Sequence, residues 1–231
     1  LTSGANGSTI GGFAAGSANV ISGNSQGIFI DGAGADGNVV LGNFIGTDVT
    51  ATLNLGNLDD GIHLSSNAAN NQIGGYADGA GNVIAHNAAA GVKVGSSAGV
   101  GNQILRNSIH SNTALGIDLD SDGVTANDAG DVDTGPNDLQ NFPALTGAFT
   151  NASDTVAVAG TLNSTFSTTY RVEFFANSSG DEGRTYLGYR KVITNSSGNA
   201  SFVQTFGANL AAGVNITATA TNLATGDTSE F

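Results

Sequence analysis

The first half of the sequence repeats itself over long distances, and this repetition restricts the fold more than any other feature. Residues 10–46 return at 73–109 with an offset of 63 or 64 residues. The clearest matches are NVISGN at 19–24 with NVIAHN at 82–87, and GNVVLGNFI at 37–45 with GNQILRNSI at 101–109. A six-residue unit, Asn-[Val/Gln]-[Ile/Val]-x-x-Asn, occurs at 19, 38, 82 and 102. A fixed period of this kind is typical of stacked structural repeats.

Short segments with alternating apolar and polar residues lie between these units. They are GIFIDG at 27, GIHLSS at 61, GVKVGS at 91 and GIDLDS at 116, and their starts are separated by 34, 30 and 25 residues. A strand, a turn at Asn or Gly, another strand and a return over this distance describe one coil of a solenoid, which buries its inner face only when coils stack. The pattern therefore predicts a right-handed parallel β-helix over residues 1–138.

Asparagine recurs at the predicted turns of this β-helix. Its side chain tolerates left-handed backbone conformations and can hydrogen-bond to the equivalent residue of a stacked neighbour. Asn24, Asn43, Asn87 and Asn107 are predicted to form one such ladder.

The sequence changes character near residue 139. Eleven of the 15 Phe and Tyr residues lie beyond this point, and the predicted strands become longer. The segment VNITATAT at 214–221 alternates strictly between apolar and polar residues, as a half-buried antiparallel strand does. Roughly seven such strands in about 92 residues match the scale of an immunoglobulin-like β-sandwich. We therefore predict an all-β chain with a second domain over residues 139–231.

Charge and composition exclude several kinds of partner and chemistry. The formal net charge is −13, and neither domain carries the basic patch that nucleic acid or anionic membranes require. The chain has no Cys, which excludes disulfides and thiol nucleophiles. It contains no apolar stretch long enough to span a membrane and no signal segment at its start. Residue 1 is therefore expected to be a processed terminus or an internal point of a longer protein.

An acidic segment near the predicted domain boundary is the best candidate for metal binding. Seven of the 19 acidic residues lie within 21 residues, beginning with the motif DLDSDG. Carboxylates at alternate positions followed by Gly resemble a calcium loop, although Ala129 stands where an EF-hand has Glu. The predicted calcium ligands are Asp118, Asp120, Asp122, Asp128, Asp131 and Asp133. The alternative is a solvated acidic loop between domains.

A second candidate site follows from stacking the four alternating segments. Stacking places Phe29, His63, Lys93 and Asp118 in one outward-facing row, with adjacent coils about 4.8 Å apart. His63, Lys93 and Asp118 are therefore the candidate catalytic residues, although outward positions of a β-helix are ordinarily polar without any function. We assign no catalytic residue from the sequence.

Several motifs resemble the parallel β-helix repeats of large secreted or surface proteins of bacteria. They are NVISGN (19–24), GNFIGTD (42–48) and IGGYADGAGNVI (73–84), followed by GPNDLQNFPAL (135–145), RVEFFANSS, RTYLG and ITATATNLATGDTSEF. The second group resembles the sandwich that often follows such repeats. In those proteins a longer loop, often containing Cys, follows the FFAN segment, whereas the loop at 177–184 is short and lacks Cys.

This resemblance and the composition predict a non-catalytic structural or adhesive module at the cell surface. Calcium bound at 118–138 is expected to make its domain junction rigid. Its expected partners are other copies of itself, assembled head to tail into a filament, or further domains of a longer surface protein. The alternative is a carbohydrate-active enzyme, such as a polysaccharide lyase or an epimerase, or a glycan-binding β-helix.

Overall fold

The computed structural model describes residues 1–2, 4–150, 155–180, 182–207, 210–211 and 213–231. Twelve short strands form stacked parallel sheets, and six longer strands form two antiparallel sheets. The predicted all-β class, a parallel β-helix followed by a β-sandwich, is confirmed.

Four coils of three strands each build the β-helix. In chain order the strands are β1 (Thr9–Gly11), β2 (Val20–Ile21), β3 (Ile28–Asp31), β4 (Val39–Leu41), β5 (Phe44–Ile45), β6 (Ile62–Ser65), β7 (Gln72–Gly74), β8 (Val83–Ala85), β9 (Val92–Val94), β10 (Gln103–Leu105), β11 (Ser108–His110) and β12 (Ile117–Leu119). Every third strand belongs to the same sheet. Sheet A is β1-β4-β7-β10, sheet B is β2-β5-β8-β11, and sheet C is β3-β6-β9-β12.

Strict register between coils aligns the apolar residues into columns. In sheet C, Ile30 pairs with Leu64, which pairs with Val94, and all three are fully buried. Sheets A and B contribute similar columns, and together they form one core that runs along the axis. Each coil is too thin to bury these side chains alone, so stacking provides the core.

Three asparagine ladders, rather than one, run along the corners of the β-helix. The first contains Asn38, Asn71, Asn102 and Asn137, the second Asn19, Asn43, Asn82 and Asn107, and the third Asn24, Asn57, Asn87 and Asn112. The prediction of a single ladder through Asn24, Asn43, Asn87 and Asn107 was therefore wrong. The two Asn residues of the unit at 19–24 or 82–87 flank a strand, so they lie at different corners.

The C-terminal domain contains six strands among the described residues, compared with the roughly seven predicted. They are β13 (Ala144–Thr150), β14 (Val156–Asn163), β15 (Thr169–Asn177), β16 (Thr185–Ile193), β17 (Asn199–Phe206) and β18 (Asn215–Asn222). The sheets β13-β14-β17 and β16-β15-β18 pack around a core that includes Val158, Tyr170, Phe174 and Phe202. In the short loop at 177–184, residue 181 lies outside the described residues.

Segment 120–143 connects the two domains. It follows β12 and contains a tight turn at Pro136–Leu139, in which Asn137, Asp138 and Leu139 all have positive φ. This turn delivers Asn137 to the end of the first ladder, where its Oδ1 accepts a hydrogen bond from the N–H of Asn102 at 2.9 Å. The connecting segment is therefore bound to the last coil rather than free between the domains.

Candidate functional site

The four residues of the outward-facing row on sheet C are in register. Phe29 pairs with His63, His63 with Lys93, and Lys93 with Asp118 in successive coils. The rings of Phe29 and His63 meet edge to face with 5.2 Å between centroids. The alternation of each segment thus brings together the three candidate catalytic residues on one face.

A fourth ionisable residue, Asp60, connects two members of this row. Its side chain is fully buried, and its Oδ2 lies 3.1 Å from His63 Nδ1 and 3.3 Å from Lys93 Nζ. Its Oδ1 accepts a hydrogen bond from the N–H of Ala90 at 3.0 Å. Asp60 precedes β6 at a turn, outside the alternating segment, so the periodicity gave no signal for it.

The two carboxyl groups of this face have opposite tendencies to ionise. Burial opposes the charge on Asp60, but the hydrogen bond from His63 and the charge of Lys93 outweigh it and lower the pKa. Burial raises the pKa of Asp118 despite the charge of Lys93, and the neighbouring Asp60 and Asp122 raise it further. The Oδ1 of Asp118 is buried and has no hydrogen-bond partner among the described residues.

This arrangement combines a carboxylate, a histidine, an ammonium group and a carboxyl group that resists ionisation. Groups of this kind can exchange protons with a ligand or hydrogen-bond to its hydroxyl groups. The His63 and Lys93 side chains are each about a fifth exposed, so a ligand can reach them from solvent. The buried ion pair between Asp60 and Lys93 also has a structural role, because it neutralises Asp60.

The predicted calcium ligands separate into two groups. Asp118 belongs to β12 and faces Lys93, whereas Asp120 adopts a positive φ in the following turn and Asp122 is exposed. Among the described residues, only Asp128, Asp131 and Asp133 form a group whose ligand atoms all lie within 4.8 Å of one another. The motif DLDSDG therefore does not gather its three carboxylates at one point.

Asp128, Asp131 and Asp133 form a carboxylate cluster against the sandwich. Both oxygens of Asp131 have partners: Oδ1 accepts from Asn141 N–H at 2.8 Å, and Oδ2 accepts from Gln140 Nε2 at 2.9 Å and from Ser164 Oγ. Asp133 Oδ1 is buried without a hydrogen-bond partner among the described residues. Oxygen donors in this arrangement fit a hard cation such as Ca²⁺.

Crowding of negative charge in this cluster disfavours ionisation. Burial raises the pKa of Asp131 to about 6; hydrogen bonds from Ser164 and Asn141 oppose the rise, while Asp133 and Asp128 add to it. The pKa of Asp133 is raised by burial and by Asp128. A bound cation relieves both the repulsion and the orphaned Asp133 oxygen.

The last coil of the β-helix is capped by side chains from the end of the chain. Gly101 N–H donates to Asp227 Oδ1 at 2.6 Å, and Ile104 N–H donates to Thr228 Oγ1 at 3.0 Å. Glu230 accepts from the N–H groups of Leu119 at 2.9 Å and Thr125 at 3.0 Å. The segment that carries these acceptors folds back against β18 through the bridge Thr221–Thr228.

Two further glutamates extend this cap from β15 and the loop before β16. Glu173 Oε2 accepts from Arg106 N–H at 2.7 Å. Glu182 Oε1 accepts from Asn112 Nδ2 at 2.9 Å and from its N–H at 3.4 Å, so it occupies the place of the next Asn in the third ladder. Beside them, Ile109 and Gly183 form an antiparallel bridge between the two domains. Each sheet of the last coil thus ends on the sandwich.

Stacked aromatic and guanidinium groups surround this cap. Arg171, which pairs with Glu173 at 2.7 Å, lies 3.6 Å from the ring centroid of Tyr189 and 5.2 Å from that of Tyr76. Arg106 lies 4.7 Å from the ring centroid of Tyr186. Tyr76 belongs to the β-helix, whereas Arg171 and Tyr189 belong to the sandwich. Their stacking therefore joins the two domains.

Sequence reasoning did not find the cap. Its acceptors lie 67 to 126 positions from the N–H groups that they bind, and no local pattern marks them. One available signal was the concentration of Asp227, Glu230 and hydroxyl residues in the last few positions of an otherwise weakly charged domain.

No protein-family model matches the chain, and no curated protein is significantly similar to it in sequence. Within the described ranges, there is no helix of the length and apolar character that a membrane span needs.

Proposed function

We propose that the protein is a non-catalytic structural and adhesive module of an extracellular surface, in which the β-helix and the sandwich act as one rigid rod. The observation that supports this proposal most strongly is the cap on the last coil. Carboxylates and a hydroxyl group of the sandwich domain accept hydrogen bonds from backbone N–H groups in all three sheets or their corners.

These contacts fix the orientation of the two domains. A typical hydrogen bond contributes about 0.5–1.5 kcal/mol, or about 1.5–3 kcal/mol where the acceptor is charged, and a buried donor left without its partner costs about 1–3 kcal/mol. Separating the domains would expose several donors and the apolar ring of Phe231 together. An enzyme that closes over its substrate needs a mobile junction, whereas a spacer needs this kind of fixed one.

Calcium is proposed to reinforce this junction through Asp128, Asp131 and Asp133. The orphaned oxygen of Asp133 and the all-oxygen donor set fit a hard cation. The hydrogen bonds from Asn141 and Ser164 hold Asp131 in position against the sandwich. A cation at this point would bind the connecting segment more firmly to the second domain.

The surface location is proposed from composition and from the resemblance of the repeats to those of bacterial surface proteins. Absence of Cys makes the chain indifferent to the redox state of its surroundings. In this setting the rod continues into further domains of a longer surface protein, or associates with copies of itself through faces other than its two ends.

Nuclear magnetic relaxation of backbone amides tests the rigid-rod proposal. Amides in sheet A and in β15 are expected to report one common, anisotropic tumbling time, because the cap prevents independent motion. Two distinct tumbling times for the two domains would contradict the proposal. Repeating the measurement with calcium and then with a chelator tests the metal separately.

Glycan binding or carbohydrate-directed chemistry on the sheet C face is a second candidate. The specific observation in its favour is the accessible group of His63 and Lys93 beside the unpartnered Oδ1 of Asp118. A panel of neutral and acidic polysaccharides would be assayed for binding and for cleavage. Loss of a detected signal in Lys93→Ala, but not in the control Lys191→Ala on the sandwich, would support this candidate.

A further inference from the structure

The asparagine residues of the first coil are less buried than those of the following coils. Asn43, Asn57, Asn82 and Asn87 are all almost completely buried, whereas Asn19 and Asn24 in the first coil are exposed. The Oδ1 atoms of Asn19 and Asn24 accept no hydrogen bond from the described residues. The ladders therefore start with two unused acceptors.

Each interior Asn shows what such a rung binds. Asn43 Oδ1 accepts from the N–H of Asn19 at 3.2 Å, and Asn43 Nδ2 donates to Ile10 O at 3.0 Å. Asn57 makes the equivalent bonds to Asn24 N–H at 3.1 Å and to Ile21 O at 3.2 Å. These Asn rungs thus bind both an N–H and a carbonyl group of the preceding coil.

Backbone donors of the first coil face the same direction. Thr9 and Val20 are in register with Val39 and Phe44, whose N–H groups donate to Ser8 O at 2.8 Å and Asn19 O at 2.9 Å of the preceding coil. Ile21 is only partly buried, whereas Ile45 and Ile84, which are in register with it deeper in sheet B, are completely buried. An edge of this kind, apolar and without charged side chains, is a template for strand pairing.

Leu1 already occupies one position of such a preceding level. Its carbonyl oxygen accepts from Asp31 N–H at 2.9 Å, as Val94 O accepts from Asp120 N–H at 3.0 Å. Leu1 also packs against the β-helix core, as Val94 does. Leu1 therefore sets the register in sheet C for whatever covers β1 and β2.

We propose that this N-terminal face is a docking surface for one further parallel coil, which leads into Leu1 and presents backbone N–H and carbonyl groups to Asn19 and Asn24. This inference rests on the proposed function, because it names the partner at one end of the rod. The acidic cap of another copy does not fit, because its acceptors are buried and already bonded to the last coil of their own chain.

A grafted coil tests the proposal. Because Leu1 corresponds to Val94, the segment Asn71–Lys93 placed directly before Leu1 supplies strands for all three sheets in the correct register. The control carries the same residues in scrambled order. Hydrogen exchange is then measured at the amides of Thr9 and Val20, with the amide of Val39 as an internal reference.

The ordered graft is expected to slow exchange at Thr9 and Val20 by at least about tenfold relative to the scrambled graft, because these N–H groups become paired. Equal exchange in the two grafts would overturn the proposal. It would also be overturned if the ungrafted chain dimerised on concentration and protected the same amides, because a second copy would then be the occupant. Joint tumbling of the two domains does not depend on these amides, so the two proposals can fail separately.

Discussion

Glu230 Oε1 accepts a hydrogen bond from the backbone N–H of Leu119 at 2.9 Å, and both residues are at least 96% buried. Leu119 ends the last strand of the β-helix, and Glu230 is the penultimate residue of the chain. The terminus of one domain thus closes the terminus of the other.

Removing this acceptor should destabilise the junction. In Glu230→Ala the N–H groups of Leu119 and Thr125 lose their partner, and we expect a loss of about 2 kcal/mol in the free energy of unfolding. Urea denaturation near pH 5 measures it. Glu230→Gln retains one acceptor oxygen and should lose less; an equal loss in both variants would contradict the role of the hydrogen bond.

The stabilising contribution of Glu230 should fall as the pH rises toward neutrality. Burial raises the pKa of Glu230 to about 7. The hydrogen bonds from Leu119 and Thr125 lower this pKa, whereas the nearby charges of Asp118 and Asp122 raise it. The folded state therefore holds a proton that the unfolded state releases from about pH 4.5 upward, and this contribution is lost by about pH 7. Thermal unfolding at pH 5 and pH 8 measures the difference.

The variant Glu230→Gln should shrink this pH dependence, because its side chain does not ionise. Glu173 and Glu182, whose pKa values burial also raises, are expected to maintain part of it. Burial lowers the pKa of His110 from 6.5 to about 4, so His110 contributes the opposite pH dependence below about pH 6.5. The comparison with Glu230→Gln isolates the contribution of Glu230, and an equal pH dependence in the two proteins would contradict the prediction.

Calcium should stabilise the protein through Asp131 and Asp133. Asp133→Asn removes a charge and is expected to weaken calcium binding at least about tenfold, measured by isothermal titration calorimetry. Asp122→Asn is the matched control, since Asp122 lies outside the cluster. Affinity should also decline below about pH 6, as Asp131 becomes protonated. If Asp133→Asn and Asp122→Asn bound calcium equally well, the proposed calcium site at Asp128, Asp131 and Asp133 would be wrong.

An Asn in the interior of a ladder should contribute more to the free energy of unfolding than an Asn at its end. Asn82 exchanges four hydrogen bonds with Asn43, Asn107 and Val40, and its side chain is fully buried. Asn82→Ala is expected to cost about 3 kcal/mol, whereas Asn19→Ala at the exposed end should cost about 1 kcal/mol. Chemical denaturation of both variants compares them, and equal costs would refute the distinction.

Neutralising Asp60 should rescue the loss of Lys93. Lys93→Met removes the ammonium partner of the buried Asp60 carboxylate, and we expect a loss of about 3 kcal/mol in the free energy of unfolding. Adding Asp60→Asn should restore most of it, because the unpaired charge is gone. If the double variant is as unstable as Lys93→Met, the ion pair does not explain the effect.

The sequence predicted what depends on local periodicity. Alternation within GIHLSS and GVKVGS was sufficient to align His63 with Lys93, because register in a stacked coil follows the inward side chains. Asp60 was missed because it lies at a turn where no period applies. To assign each Asn to one of the three ladders, one must know at which corner of the coil it lies. The spacing of the Asn residues in the sequence does not define that corner.

Contacts between the domains were beyond prediction for a different reason. Glu182 substitutes for an Asn of the third ladder although it comes from another fold, so no repeat indicates it. The motif DLDSDG suggested that the side chains of Asp118, Asp120 and Asp122 converge on one ion. Asp118 instead belongs to β12 and faces Lys93, so the motif is not a calcium-binding loop along its whole length.

The cap also determines how a protein of this design can change length. Gene duplication can add whole coils anywhere before the last one, since each coil presents the same asparagine contacts to the next. Beyond Leu119, however, an added coil would meet carboxylates shaped for a single, particular neighbour. A protein of this design can therefore gain length on the N-terminal side of the β-helix, while the contact between the last coil and the sandwich stays unchanged.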